Sequence, residues 1–105
     1  MFFNQIDSGK TQIVPFIYGT TFDICLKAIP SAGYLWFLKT INSNCVKIIG
    51  DINYILDNNK TIGNGGNCVA SFKILKPGIV TITLENKRPW NNDISETFSI
   101  TLDIQ

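Results

Sequence analysis

The sequence has no histidine among its 105 residues. Nucleophilic sites of the Ser-His-Asp and Cys-His kinds need an imidazole to take the proton of the nucleophile, so both kinds are excluded. Zinc sites built on histidine and histidine-based pH switches are excluded for the same reason. Catalysis by carboxylates or lysine stays open, but the missing imidazole favours a binding protein over an enzyme.

Charge and long apolar runs are also scarce. Only 16% of the residues are charged, and a net charge of +1 produces no strong field to attract nucleic acid or an anionic membrane. No apolar run approaches the ~20 residues that a membrane-spanning helix needs. We therefore expect neither nucleic acid nor a membrane among the partners of this chain.

The cysteines are few and odd in number, at Cys25, Cys45 and Cys68, with no CxxC pair. Such a set is a poor disulfide framework and suits a reducing compartment. We expect packing residues, one of them a semi-exposed thiol, and no metal or cofactor. No basic segment followed by an apolar one marks a secretory signal at the N-terminus. A cytoplasmic location is therefore expected, or a vesicular or lysosomal one if the chain is a processed form.

Alternation of apolar and polar residues with a period of two dominates the sequence. Phe22, Ile24, Leu26 and Ala28 share one face of a predicted strand, and polar or small residues occupy the other face. This pattern is typical of antiparallel strands with one buried face. Seven strands, A to G, are predicted at Thr11–Ile17, Thr21–Ala28, Tyr34–Ile41, Val46–Leu56, Cys68–Leu75, Ile79–Asn86 and Thr97–Ile104.

Seven short strands in a chain of this length indicate an all-β, immunoglobulin-like antiparallel sandwich, as a single domain over residues 1–105. A small closed barrel is the alternative. Pro15 cannot donate to a strand ladder, which predicts an edge strand or a bulge in strand A. Gly50-Asp51 is interpreted as a bulge or kink within strand D.

Because each strand reverses the direction of the last, three unusual loops are predicted to lie together at one end. The first loop is Ile29–Gly33, the second is Asp57–Asn67 and the third is Lys87–Asp93. Long loops clustered on a rigid scaffold usually form binding surfaces. The prediction requires strand D to cross the sheet once, because a hairpin turn at Gly50-Asp51 would move the later loops to the other end.

The third loop holds Arg88, the only arginine, and Trp90, one of two tryptophans. Pro89 between them fixes its own φ and keeps Arg88 extended, which partly sets the direction of the indole. Tryptophan and arginine are frequent interface hot spots. Two interpretations stay open: an exposed contact residue, or an indole that caps its own core beside a solvated arginine. Trp36 alternates with Tyr34 and Leu38 and is expected in the core.

The other two loops are rich in small residues. In the first, Pro30 and Gly33 flank Ser31 and Ala32, which leaves a narrow tip able to enter a cleft. In the second, the Gly63-Asn64-Gly65-Gly66 segment is not followed by Lys-Ser/Thr or by a helix, so a phosphate cradle is not indicated. A contact loop that works through its backbone is the better interpretation.

Taken in order, these segments resemble the chagasin-type inhibitors of papain-like cysteine peptidases. The family's Gly-x-Gly-Gly motif is intact at Gly63–Gly66, and its Arg-Pro-Trp motif is intact at Arg88–Trp90. Its Asn-Pro-Thr-Thr-Gly motif keeps only proline and glycine, with Ile29, Ser31 and Ala32 replacing the other residues. The resemblance implies a non-enzymatic, reversible, tight-binding inhibitor that is a monomer when free and occludes the peptidase cleft with all three loops. The implied peptidase-binding residues are Pro30, Ser31, Ala32, Gly33, Gly63, Asn64, Gly65, Gly66, Arg88, Pro89 and Trp90.

The sequence favours two other functions less. An immunoglobulin-like adhesion or carbohydrate-binding module would use the same loops, but a secretion signal and disulfides would normally accompany it. An enzyme based on carboxylates needs a pair of acids in one cleft, and no spacing in the sequence places such a pair.

Overall fold

The computed structural model describes residues 1–28, 33–56, 66–90 and 93–105. Within these ranges the chain forms eight strands and one 3-10 turn, and none of it forms a helix long and apolar enough to cross a membrane. The strands are β1 (Phe2–Phe3), β2 (Thr11–Val14), β3 (Thr21–Ala28), β4 (Leu35–Ile41), β5 (Val46–Leu56), β6 (Gly66–Ile74), β7 (Gly78–Lys87) and β8 (Ile94–Ile104); the 3-10 turn is Gln5–Asp7.

Two four-stranded sheets form a sandwich, which confirms the predicted all-β, immunoglobulin-like fold. One sheet has the order β1-β3-β6-β5, and the other has the order β2-β8-β7-β4. Several details differ from the prediction: β2 ends at Val14 rather than Ile17, β6 begins at Gly66 rather than Cys68, and β8 begins at Ile94 rather than Thr97. The short strand β1 adds an eighth strand, and the pairs β1–β3 and β2–β8 are parallel. Both pairings join the N-terminal segment to strands that are distant in the sequence, so no pattern of neighbouring residues predicts them.

The core consists of the residues that the alternation assigned to buried faces. In β3 every second side chain from Phe22 to Ala28 is buried, and in β8 the same holds from Phe98 to Ile104. The Phe22 and Phe72 rings stack at the centre with centroids 5.3 Å apart. Burial of apolar faces from both sheets is thus what joins the two layers.

The structure has the two irregularities that glycine and proline predicted, in addition to register shifts after Leu38 in β4 and after Asn86 in β7. Gly50 has a φ of +64°, and the β5–β6 register shifts between Ile49 and Asn53, so β5 crosses the sheet once with a bulge. Strand β2 lies at the edge of its sheet and ends at Val14, directly before Pro15. The single crossing by β5 preserves the predicted parity of the loops.

The three cysteines are free thiols, with Cys45 and Cys68 buried and Cys25 half-buried. Burial raises the pKa of the Cys68 thiol to about 11, outweighing backbone hydrogen bonds that lower it. Burial and the charge of Asp23 raise the pKa of Cys25. The cysteines are therefore packing residues, with one semi-exposed thiol, as predicted.

This burial predicts a loss of stability at alkaline pH. Since the folded chain holds the Cys68 proton more tightly than the unfolded chain, the stabilisation is complete below the unfolded pKa of 9.0. It is lost as the pH rises towards the folded pKa of about 11. In urea unfolding at about pH 8 and about pH 10.5, the wild type should lose more unfolding free energy than the Cys68→Ala variant. An equal loss in both would contradict the prediction.

Candidate functional site

The loops leave the two sheets at one end of the sandwich. Ala28, the last residue of β3, pairs with Gly66, which in turn pairs with Leu56 at the end of β5. In the other sheet, Leu35 at the start of β4 pairs with Lys87, and Lys87 pairs with Ile94 at the start of β8. The residues from which all three loops emerge therefore lie at one end, as the parity of the strands predicted.

Some predicted site residues lie outside the described residues: Pro30, Ser31 and Ala32 of the first loop, and Gly63, Asn64 and Gly65 of the second. Gly66 belongs to β6 rather than to a loop, because its backbone continues the ladders to Ala28 and Leu56. Gly33, Arg88, Pro89 and Trp90 are described. Among them, the contact between the first and third loops is that of Trp90 with Gly33.

Trp36 closes the base of the first loop. Its indole Nε1 donates a hydrogen bond to the carbonyl oxygen of Lys27 at 2.9 Å, and only 2% of the residue is exposed. Lys27 lies in β3 and Trp36 in β4, so this bond joins the two strands that flank the first loop and belong to opposite sheets. Trp36 is thus in the core, as predicted, and its polar atom sets the separation of the loop's ends.

Tyr54 is a structural residue of this end that the sequence analysis did not identify. The backbone N–H of Trp36 donates to the Tyr54 hydroxyl at 2.9 Å, and that hydroxyl donates to the Trp36 carbonyl oxygen at 3.2 Å. Burial raises the pKa of the Tyr54 phenol, which keeps it a neutral donor. Tyr54 thereby ties the outer edge of β4 to β5, the strand that leads into the second loop. The only signal in the sequence is a hydroxyl-bearing aromatic two residues before the strand ends.

Trp90 projects from the third loop and lies against Gly33. The residue is 70% exposed, which excludes the interpretation that its indole caps the core. A Cβ atom added at Gly33 would lie 2.9 Å from Cη2 of the indole, too close for a side chain to fit without movement. Gly33 also has a φ of +86°, in the region that favours glycine. The approach of the indole therefore depends on glycine at this position.

Arg88 is not the solvated neighbour that one interpretation of the sequence assigned. Its guanidinium carbon lies 4.7 Å from the centroid of the Tyr34 ring, within the range of a cation–π contact. The Arg88 Nε is buried, and no hydrogen-bond partner for it occurs in the described part of the chain. The β4–β7 register pairs Leu35 with Lys87, so Tyr34 and Arg88 face each other one step beyond the ladder.

The chemistry of this end suits binding to another protein. Across the described ranges, no group of three or more potential metal ligands occurs. The described surface offers an exposed indole beside the backbone of Gly33, both held by the sandwich beneath. An exposed aromatic on a rigid support is a typical anchor for binding another protein.

Comparisons with known proteins agree with this geometry. Residues 17–102 match the chagasin family of peptidase inhibitors. A search of the curated proteins found no match. Among solved structures, the cysteine protease inhibitor EhICP2 from Entamoeba histolytica is similar over 99% of this chain and 93% of its own, with a TM-score of 0.79 at 19% identity. Amebosin is similar over 99% and 96%, with a TM-score of 0.77 at 20% identity. PbICP-C, solved in complex with falcipain-2, is similar over 100% and 90%, with a TM-score of 0.65 at 19% identity. At these identities the structural similarity establishes the fold.

The Tyr54 hydroxyl predicts a measurable contribution to stability. Tyr54→Phe should lower the unfolding free energy by about 1 to 2 kcal/mol, because the Trp36 N–H and carbonyl both lose their partner. The matched control is Tyr18→Phe, which removes the hydroxyl of a tyrosine that is 67% exposed and should change little. Urea unfolding measures both, and equal effects would argue against the tie between β4 and β5.

The Gly33–Trp90 contact predicts a change that can be separated from backbone strain. Gly33→Ala should cost on the order of 1 kcal/mol for its positive φ and should also displace the indole. Gly9→Ala is the control, because Gly9 has a φ of +81° but open space around its Cβ position. We expect similar losses of stability from both variants, with increased iodide quenching of tryptophan fluorescence only in Gly33→Ala. Unchanged quenching would contradict the contact.

Proposed function

Because the chain belongs to the chagasin family of peptidase inhibitors, we propose that it inhibits papain-like cysteine peptidases by reversible, non-covalent binding. The observation that carries the proposal is the exposed indole of Trp90, held against Gly33 at the end of the sandwich where all three loops emerge. A fold similar to that of PbICP-C, solved in complex with falcipain-2, supports a peptidase of this class as the partner.

The first loop enters the active-site cleft above the catalytic cysteine. Its tip carries the small side chains of Ser31 and Ala32, so the loop backbone approaches the cleft closely. The backbone crosses the cleft without presenting a carbonyl carbon at the distance and angle that attack by the thiolate requires. The loop therefore remains uncleaved. Because backbone shape dominates this contact, the presence of Ile29, Ser31 and Ala32 instead of the family's Asn and Thr residues is compatible with inhibition.

The other two loops bind on either side of the cleft. The Gly63–Gly66 segment contributes backbone groups, and the Arg88–Trp90 segment contributes the indole, which packs on apolar surface of the peptidase. Because the Trp90 indole already lies against Gly33, this described part of the binding end loses little conformational entropy on docking, which favours tight binding without a covalent bond. We expect an interface of about 800 Å² on each partner.

Trp90→Ala provides the direct test of this function. The wild-type chain should inhibit papain and should not inhibit trypsin, as measured by progress curves with a fluorogenic substrate. Loss of the exposed indole should raise the inhibition constant about 30-fold, which corresponds to about 2 kcal/mol for a hot-spot residue.

Tyr18→Ala is the matched control for Trp90→Ala. Tyr18 is an aromatic residue exposed to a similar degree, 67% against 70%, and it lies between β2 and β3 at the opposite end of the sandwich. Its loss should leave the inhibition constant unchanged. Failure of the wild type to inhibit papain-like enzymes would refute the function, and equal effects of the two variants would refute the proposed binding end.

A further inference from the structure

The end of β7, where the chain enters the third loop, makes side-chain contacts on both faces of the strand. Lys87 Nζ lies 5.5 Å from the centroid of the Phe37 ring and 4.0 Å from a carboxylate oxygen of Glu85. The next side chain, Arg88, lies over the ring of Tyr34. Successive side chains of a strand point to opposite faces. Two neighbouring cations thus contact two rings in or beside β4, and the base of the third loop is fixed.

The Nε side of the Arg88 guanidinium is closed to a peptidase. Its Nε is buried, so the paired use of Nε and one Nη to grip a carboxylate on a partner is closed to it. Its guanidinium is already in contact with the Tyr34 ring. To meet a carboxylate through Nε, Arg88 would have to leave Tyr34 and rearrange the base of the loop.

Pro89 limits the backbone conformations between Arg88 and Trp90, so the position of Arg88 affects that of Trp90. The proline ring fixes its own φ near −65° and restricts the residue before it to extended conformations. Trp90 then reaches back to Gly33, the neighbour of Tyr34. The two contacts between the first and third loops are therefore adjacent, Arg88 on Tyr34 and Trp90 on Gly33, with a rigid residue between them.

We infer that Arg88 is a positioning residue that acts within the inhibitor, through its contact with Tyr34, to hold the Trp90 indole against Gly33 in its binding arrangement. This inference rests on the proposed function, and it assigns contact with the peptidase to Trp90. The Arg88–Tyr34 pair lowers the conformational freedom that the two loops would otherwise lose on docking.

The test is a double-mutant cycle measured as inhibition of papain. Arg88→Ala and Tyr34→Ala should each raise the inhibition constant about five- to tenfold, and the double variant should be no weaker than the weaker single variant. Tyr34→Phe keeps the ring and should retain wild-type inhibition. Raising the salt concentration should change inhibition by the wild type and by Arg88→Ala by the same factor, because no charge of the peptidase pairs with Arg88.

A second cycle at the opposite end is the matched control. Lys73 Nζ lies 5.6 Å from the centroid of the Tyr18 ring, so this pair repeats the cation–π contact away from the loops. Lys73→Ala and Tyr18→Ala should leave inhibition unchanged. Urea unfolding of every variant shows whether the chain remains folded under assay conditions.

Iodide quenching of tryptophan fluorescence tests the inference without a peptidase. Trp36 is buried, so quenching reports Trp90, and it should increase in both Arg88→Ala and Tyr34→Ala. Additive losses in the cycle or a weaker salt dependence in Arg88→Ala would place Arg88 on the peptidase and overturn the inference. Loss of inhibition in Tyr34→Phe would assign the effect to the Tyr34 hydroxyl instead of the ring that Arg88 contacts, and would overturn it as well. If the wild type does not inhibit any papain-like enzyme, the proposed function fails, while unchanged quenching would refute the internal contact separately.

Discussion

One hydrogen bond sets the geometry on which the loop end depends, that from the Trp36 indole to the carbonyl of Lys27. It joins β3 to β4 across the core, and these strands carry the two ends of the first loop. Tyr54 extends the constraint by holding the Trp36 backbone to β5, which leads into the second loop. Since Trp36 also pairs with Asn86 in β7, the strand before the third loop is fixed relative to the same residue. A single buried tryptophan thus relates all three loop bases.

Above this base, the first and third loops support each other. Gly33 lets the Trp90 indole approach its backbone, and Tyr34 supports the guanidinium of Arg88. The indole is therefore exposed to solvent but held in one position, and this combination lowers the entropic cost of binding. In the proposed function, such a surface acts through shape and backbone rather than through charge. This agrees with a chain whose net charge is only +1 and which contains no histidine.

Several features were predictable because they depend on neighbouring residues alone. The period of two assigned the buried faces of β3 and β8, and Gly50 marked a bulge rather than a turn. Other features were not predictable from local pattern. Strand β1 has two residues and pairs with β3, some twenty positions away, and the parallel β2–β8 pair joins opposite ends of the chain. Pairings of this kind depend on the packing of the whole sandwich, so the sequence of a short segment does not predict them.

The sequence by itself determined the fold class, the core faces and the identity of the loop motifs, because alternation, turn residues and rare side chains are properties of consecutive positions. Tertiary structure alone excluded a core-capping role for Trp90 and a solvated role for Arg88, and it alone placed Tyr54 beside Trp36. These outcomes depend on which distant backbones approach each other closely enough for an indole, a guanidinium or a hydroxyl to find its contact. That proximity arises only when both sheets have packed around a common core.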